Sequence, residues 1–176
     1  MNPVPVPVRV SFAIADVADA VAIATVRSAA AQDLTERFGR GYWSSQTTDR
    51  GVVSGMRTGL VLLARRGSAI VATARLSPRK PWAIDATYFT AASLPLYLTD
   101  MAVRPDYQRQ GIGRALLGEA TRVARAWPAD ALRLDAFNAD AGASGFYARC
   151  GFRQVAVVDY RDVPLVYFEQ PLIAAA

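Results

Sequence analysis

The chain contains no histidine, one cysteine, Cys150, and one lysine, Lys80, in 176 residues. The first absence removes several chemistries at once. Ser-His-Asp and Cys-His catalysis need an imidazole base, and His-ligated zinc sites need imidazole nitrogens. A solitary cysteine excludes an intramolecular disulfide and an all-thiolate zinc site within the chain. Proton transfer must therefore fall to Asp, Glu, Tyr, the single Lys, the single Cys or water, and no metal is expected. A long run of one charge is also lacking. The net charge is +5, and nineteen of the twenty basic residues are arginines, yet Arg65-Arg66 and Arg79-Lys80 are isolated pairs. Arginine forks suit phosphate and carboxylate groups. Without a longer basic stretch, nucleic acid is not the favoured partner.

The opening "MNPVPVPVRV" has no charged segment followed by an apolar one, and its three prolines read as a frayed, extended lead-in over residues 1–8 rather than a signal peptide. The most apolar long segment, residues 12–31, is interrupted by Asp16, Asp19 and Arg27, which argues against a membrane span. Hydrophobic residues make up 52% of the chain and charged ones 20%, the balance of a globular protein. The expectation is one cytoplasmic domain over residues 1–176.

Hydrophobic periodicity supplies the elements. Residues 9–14 alternate as a first strand. Asp16 is placed to cap a helix through about residue 31, with Val17, Val21, Ala24 and Ala31 near helical spacing. Residues 32–56 are polar and broken by glycine, suggesting a loop and a second short helix. Residues 60–64 and 69–76 are apolar runs joined by "RRGS", a hairpin signal. After a proline- and aromatic-rich excursion, residues 96–103 read as a central strand. Ile112, Leu116, Ala120, Val123 and Trp127 then trace one helical face, which Pro128 ends. Residues 132–136 form another strand, and residues 143–149 a short helix closed by Gly151. The runs 154–160 and 165–169 form a last strand pair, with Pro164 at a strand start or edge. The order β-α-α-β-β-β-α-β-α-β-β predicts a mixed α/β fold with antiparallel hairpins early and late.

The stretch "VRPDYQRQGIGRALL", residues 103–117, carries the chemistry. It lacks the Gly-Lys-Ser/Thr ending of a P-loop, and its third dinucleotide-fingerprint position is Leu116 rather than glycine. Two readings stay open on the residues alone. One is an ordinary glycine-relaxed turn. The other is an anion nest, because Gly111 and Gly113 expose N–H groups at a helix start, flanked by Arg109 and Arg114.

Here the chain resembles the GNAT superfamily of N-acetyltransferases. Gln108, Gly111 and Gly113 fill the Gln/Arg-x-x-Gly-x-Gly/Ala signature of its motif A. "FYARCGF", residues 146–152, is similar to the family's tyrosine helix end followed by Gly-Phe. The element order also agrees, so the resemblance covers essentially the whole chain. It implies a mostly antiparallel central sheet flanked by helices, with an acyl-CoA seated where the strand before motif A splays from its neighbour. By position, the strand Met101, Ala102 and Val103 would bind the thioester and pantetheine arm. Gln108, Arg109, Gln110, Gly111, Ile112, Gly113 and Arg114 would hold the pyrophosphate.

Tyr147 matches the family's general acid; the alternative is a buried tyrosine packed on the core. Asp100, beside the thioester site, is the candidate base, or else bonds a neighbouring loop; Asp85 and Tyr97 are weaker candidates. The family's cofactor-contacting asparagine falls on Asp140 here, so Asn138, two residues earlier, is the substitute. Tyr42, Trp43 and Trp82, with Tyr88 and Phe89, form either an acceptor pocket or satellite core packing. Cys150 reads as a small packed hydrophobe.

The resemblance therefore implies transfer of an acetyl group from acetyl-CoA to a primary amine, in a small molecule or a peptide, without a metal. A non-catalytic acyl-CoA-binding or sensing module is the alternative, as is an acetyltransferase acting on aminoacyl-tRNA or protein N-termini. A homodimer is expected by analogy with the family.

Overall fold

The structure, a computed structural model, describes residues 9–172; the lead-in expected over residues 1–8 lies outside them. One sheet of seven strands runs in the order β1-β2-β3-β4-β5-β7-β6. The strands are β1 (Ser11–Ile14), β2 (Leu60–Arg66), β3 (Ala69–Ser77), β4 (Pro95–Val103), β5 (Ala131–Phe137), β6 (Arg153–Tyr160) and β7 (Val163–Pro171). The helices are α1 (Ala20–Phe38), α2 (Asp49–Met56), α3 (Ile112–Ala126) and α4 (Ser144–Arg149). Neighbouring strands are antiparallel except β4 and β5, which are parallel. The mixed, mostly antiparallel architecture is the one expected. Among the described residues no helix is long and apolar enough to cross a membrane.

Local chemistry explains where α1 departs from its sequence pattern. Asp16 Oδ1 accepts from the Ala18 N–H at 2.7 Å, and Asp19 Oδ2 accepts from the Asp16 N–H at 3.2 Å. This reciprocal cap winds Val17–Asp19 into a tighter 3₁₀ turn before the α-helix starts. The buried face is then shifted. Val17 and Val21, expected inside, are exposed; Ala24 and Ala31 are buried as expected, and Ile23 and Val26 are buried with them. The helix also runs to Phe38, past its expected end. Its polar last turns are held by i,i+4 links, Gln32 to Glu36 at 2.8 Å and Arg37 to Asp33 at 3.2 Å.

Helices α3 and α4 cover one face of the sheet, burying Leu62, Leu96, Leu98, Leu116, Leu132 and Phe168 in one cluster. Helices α1 and α2 cover the other face of β2 and β3 through Ile23, Val52, Leu63 and Ile70. On the same side, the connection between β3 and β4 seats Ile84 and Phe89 against Tyr97, Leu165 and Tyr167. Polar contacts latch that connection. The Tyr167 hydroxyl donates to the Ala83 carbonyl at 2.6 Å and accepts from the Asp85 N–H at 3.1 Å. Thr90 Oγ1 donates to Glu169 Oε2 at 2.6 Å, and Arg133 Nε donates to Glu169 Oε1 at 3.1 Å.

Glu169 is fully buried and the Arg133 side chain is 5% exposed, so each charge depends on the other. Removing one partner of such a pair costs about 3–5 kcal/mol because the survivor is left uncompensated. Glu169→Ala is therefore expected to lower the urea-unfolding free energy by about that amount. Arg153→Ala removes a guanidinium that is 59% exposed, and is expected to cost about 1 kcal/mol or less in the same measurement.

Candidate active site

Strands β4 and β5 pair over Pro95, Leu96 and Tyr97 against Ala131, Leu132 and Arg133. Past that point β4 has no partner on the β5 side, and the two strands separate. On its other side β4 pairs with β3 through a bulge. Between the pairs Arg75↔Thr99 and Thr73↔Ala102, Ala74 of β3 faces two residues of β4, Asp100 and Met101. Asp100 takes the extra position with φ 54°. The bulge switches the alternation of the strand. Leu96 and Leu98 face the α3 side before it; Met101 and Val103 face that side after it.

Asp100 is turned toward α1, where Arg27 Nη1 lies 3.6 Å and Arg75 Nη1 3.8 Å from its carboxylate. Burial pulls the Arg27 guanidinium below its ordinary value, and Asp100 draws it back up. Arg75 also donates to the Gly55 carbonyl and to Thr58 Oγ1 and Thr99 Oγ1.

Beyond β4, Arg109 has φ 58° and Gly111 φ 81°. Alternation of left- and right-handed residues turns successive N–H groups toward one side. Gly111 caps α3 in the left-handed region, where a Cβ would be strained. Among the described residues, no backbone carbonyl or side chain accepts from the N–H groups of residues 109–114. Arg109, Gly111, Gly113 and Arg114 of this stretch line a cavity of about 490 Å³, with Arg149 beside them and no acidic side chain among the described residues. An unpaired row of donors beside three guanidiniums fits a pyrophosphate.

The other predicted members of this group differ in what they offer. Met101, Ala102, Val103 and Gln108 line the same cavity. The Gln108 side chain is committed to the Val103 carbonyl at 3.0 Å, and that of Gln110 to the Asp106 carbonyl at 3.0 Å. The Ile112 side chain is buried in the core, which leaves its N–H. Asn138 is exposed, its N–H bonded to the Pro164 carbonyl, and neither it nor Asp140 is among the lining residues of either cavity at the strand gap.

Tyr147 stands where the gap opens. Gly151, with φ 89°, ends α4 in a Schellman motif: the Phe152 N–H reaches the Tyr147 carbonyl at 3.2 Å and the Gly151 N–H reaches that of Ala148 at 3.1 Å. The Phe152 ring packs on Tyr147 with centroids 6.0 Å apart, and Phe168 lies at 5.9 Å. The phenol is thus fixed, and its hydroxyl donates only weakly, to Met101 Sδ at 3.7 Å. Burial, then the nearby carboxyl of Asp135, push its pKa well above the ordinary phenol value. Cys150, beside the same helix end, is half-buried against the α3-side cluster.

A second cavity, of about 470 Å³, meets the first at Met101, Ala143 and Tyr147. Trp43 and Trp82 line it, as do Asp100 and Asp135. Tyr42 does not; it stacks on Phe137 and its hydroxyl donates to the Asp162 carbonyl at 3.0 Å. Tyr88 and Phe89 pack on Tyr167 instead. Asp135 was missed in the sequence. Its signal was a lone carboxylate inside the apolar run "LRLDAF". Burial raises its carboxyl above the ordinary aspartate value.

The fold is shared with solved acetyltransferases. The ribosomal-protein-S18-alanine N-acetyltransferase from Escherichia coli superposes with TM-score 0.70 at 19% identity, over 96% of this chain and 97% of that one. A putative acetyltransferase from Salmonella typhimurium, solved with acetyl-CoA, gives 0.68 at 18% identity, over 95% of this chain and 96% of that one. An N-acetyltransferase from Thermoplasma acidophilum, in complex with coenzyme A, gives 0.67 at 17% identity, over 93% and 99%. No curated protein matches the chain. The family model described as "Acetyltransferase (GNAT) family" matches residues 24–152. With that match running from within α1 to just past α4, the chain belongs to the GNAT family of acetyltransferases.

Proposed function

We propose that the protein transfers an acetyl group from acetyl-CoA to the nitrogen of a primary amine. The observation that carries this reading is the junction at Tyr147 of two cavities unlike in charge, one lined by arginines and unpaired N–H groups, the other by carboxylates and aromatics. When bound, acetyl-CoA supplies a thioester whose C–S bond breaks as a C–N bond forms on the amine. The chain's own groups then have distinct tasks. The N–H row of residues 109–114, with Arg109 and Arg114, holds the pyrophosphate. The β4 edge has no β5 partner past Tyr97, and with the Val103 carbonyl taken by Gln108 the backbone groups left there, at Met101 and the Val103 N–H, would meet the amide-bearing arm. Tyr147 Oη keeps its proton at neutral pH and gives it to the departing sulfur. The amine's proton goes to the Asp135 carboxylate, and exchange with water then clears Asp135 and restores the Tyr147 phenol. Asp100, already in ion-pair range of two arginines, orients the amine. Bringing amine and thioester together at one junction supplies much of the remaining acceleration.

Isothermal titration is expected to show acetyl-CoA binding that weakens about fivefold or more in Gly111→Ala, because alanine resists the left-handed conformation. An absence of acetyl-CoA binding by the parent protein would sink the proposal. Acetyl-CoA bound without thiol release across an amine panel would favour the sensing-module reading instead.

Tyr147→Phe is expected to lower kcat by about a hundredfold while leaving acetyl-CoA affinity within about twofold, as loss of a general acid should. Full turnover in this variant would remove the acid assignment.

Asp135 offers a readout independent of turnover. Its folded pKa is raised above the unfolded value, so ionisation opposes folding as pH rises through the unfolded and then the folded pKa. Asp135→Asn carries no such charge. It is expected to melt at a higher temperature than the parent at pH 8, a gap that closes toward pH 3, while losing most activity. A melting gap independent of pH would contradict a buried, ionising Asp135.

A further inference from the structure

The acceptor-side cavity constrains what can enter it. It measures about 470 Å³, and among the described residues that line it there is no arginine or lysine, although the chain has nineteen arginines. Its charged groups are Asp100 and Asp135, and its large walls are Trp43, Trp82 and Phe137. The two arginines behind Asp100 are not among the residues that line the cavity. Arg27 lies behind the Asp100 carboxylate with its side chain 9% exposed, and the three guanidinium nitrogens of Arg75 are engaged by Gly55, Thr58 and Thr99.

Resting on the reading that an amine is the acyl acceptor, we propose that this acceptor is a small primary amine on an apolar, aromatic-sized body, with no carboxylate beside the nitrogen. An entering ammonium meets two carboxylates and two tryptophan side chains. A carboxylate on the same molecule would lose its water and find like charge in place of a cation. The size suits one small molecule rather than a longer chain. The Trp82 wall is preorganised, since Ala83 and Asp85 beside it are bonded to the Tyr167 hydroxyl. Trp82 itself is 63% exposed and packs on Tyr160 with centroids 5.8 Å apart, so it forms the outer lip.

The test uses the intact parent protein, first titrated with acetyl-CoA alone and then assayed for thiol release with four amines. These are phenylethylamine, phenylalanine, ethylamine and the tripeptide Phe-Gly-Gly. The kcat/KM for phenylethylamine is expected to exceed each of the others by about tenfold or more. Phenylalanine consumed as well as phenylethylamine would overturn the charge argument, and ethylamine consumed as well would overturn the role of the aromatic walls. A better tripeptide would make a peptide terminus the acceptor and overturn the small-molecule assignment. Turnover of none of the four, with acetyl-CoA bound, overturns the inference alone; a failure of acetyl-CoA to bind overturns the underlying reading with it. Trp82→Ala, a change at an exposed side chain, is expected to raise KM for phenylethylamine about fivefold while sparing that for ethylamine. An unchanged ratio of the two would contradict the inference.

Discussion

One extra residue in β4 governs much of the molecule. Asp100 occupies a left-handed position in the middle of a strand, a conformation that a residue other than glycine adopts only when its surroundings hold it there. Arg27 and Arg75 supply that hold through their ion pairs with its carboxylate. The switch in alternation follows. Met101 and Val103 return to the α3 side, and Ala102 packs toward α1 and α2. The ladder to β3 resumes past the bulge at Ala102 and Val103, whereas the ladder to β5 ends before it, at Tyr97.

The unpaired edge separates two electrostatic environments. On one side lie three guanidiniums and backbone N–H groups without an acceptor among the described residues; on the other two carboxylates lie among tryptophans. Tyr147 belongs to both, held by the helix end that its own carbonyl closes. Burial acts alike on the two titrating groups at this junction, raising both the Tyr147 phenol and the Asp135 carboxyl. Each therefore keeps a proton to higher pH than it would in water, which leaves the phenol fully protonated but a weaker acid. A carboxylate acceptor becomes a stronger base by the same shift.

The parts legible in the sequence were those whose pattern is carried by large apolar residues or by backbone necessity. The β2–β3 hairpin and the buried face of α3 follow from periodicity, and Gly111 and Gly151 mark left-handed positions at helix ends. The α1 face was misplaced because alanines give a weak pattern and because the capping pair at Asp16 and Asp19 delays the helix. The bulge left no trace, since Asp100 sits inside an apolar run that reads as a regular strand and its partners lie far away in sequence. Asp135, Arg133 and Glu169 were equally hidden. Their meaning depends on which strands lie side by side, and adjacency of β5 with β7 is not a local property.

The short partnership of β4 and β5 has a mechanical side. Three residue pairs join the strands, and beyond Tyr97 and Arg133 no ladder bond crosses between them. Widening or narrowing the gap there breaks no backbone hydrogen bond, whereas bending the sheet along β2 and β3 would strain a ladder seven pairs long. The sheet is therefore compliant along one line and stiff to either side of it. A ligand arm can be admitted along that line by elastic adjustment, without any local unfolding of the frame that positions Tyr147.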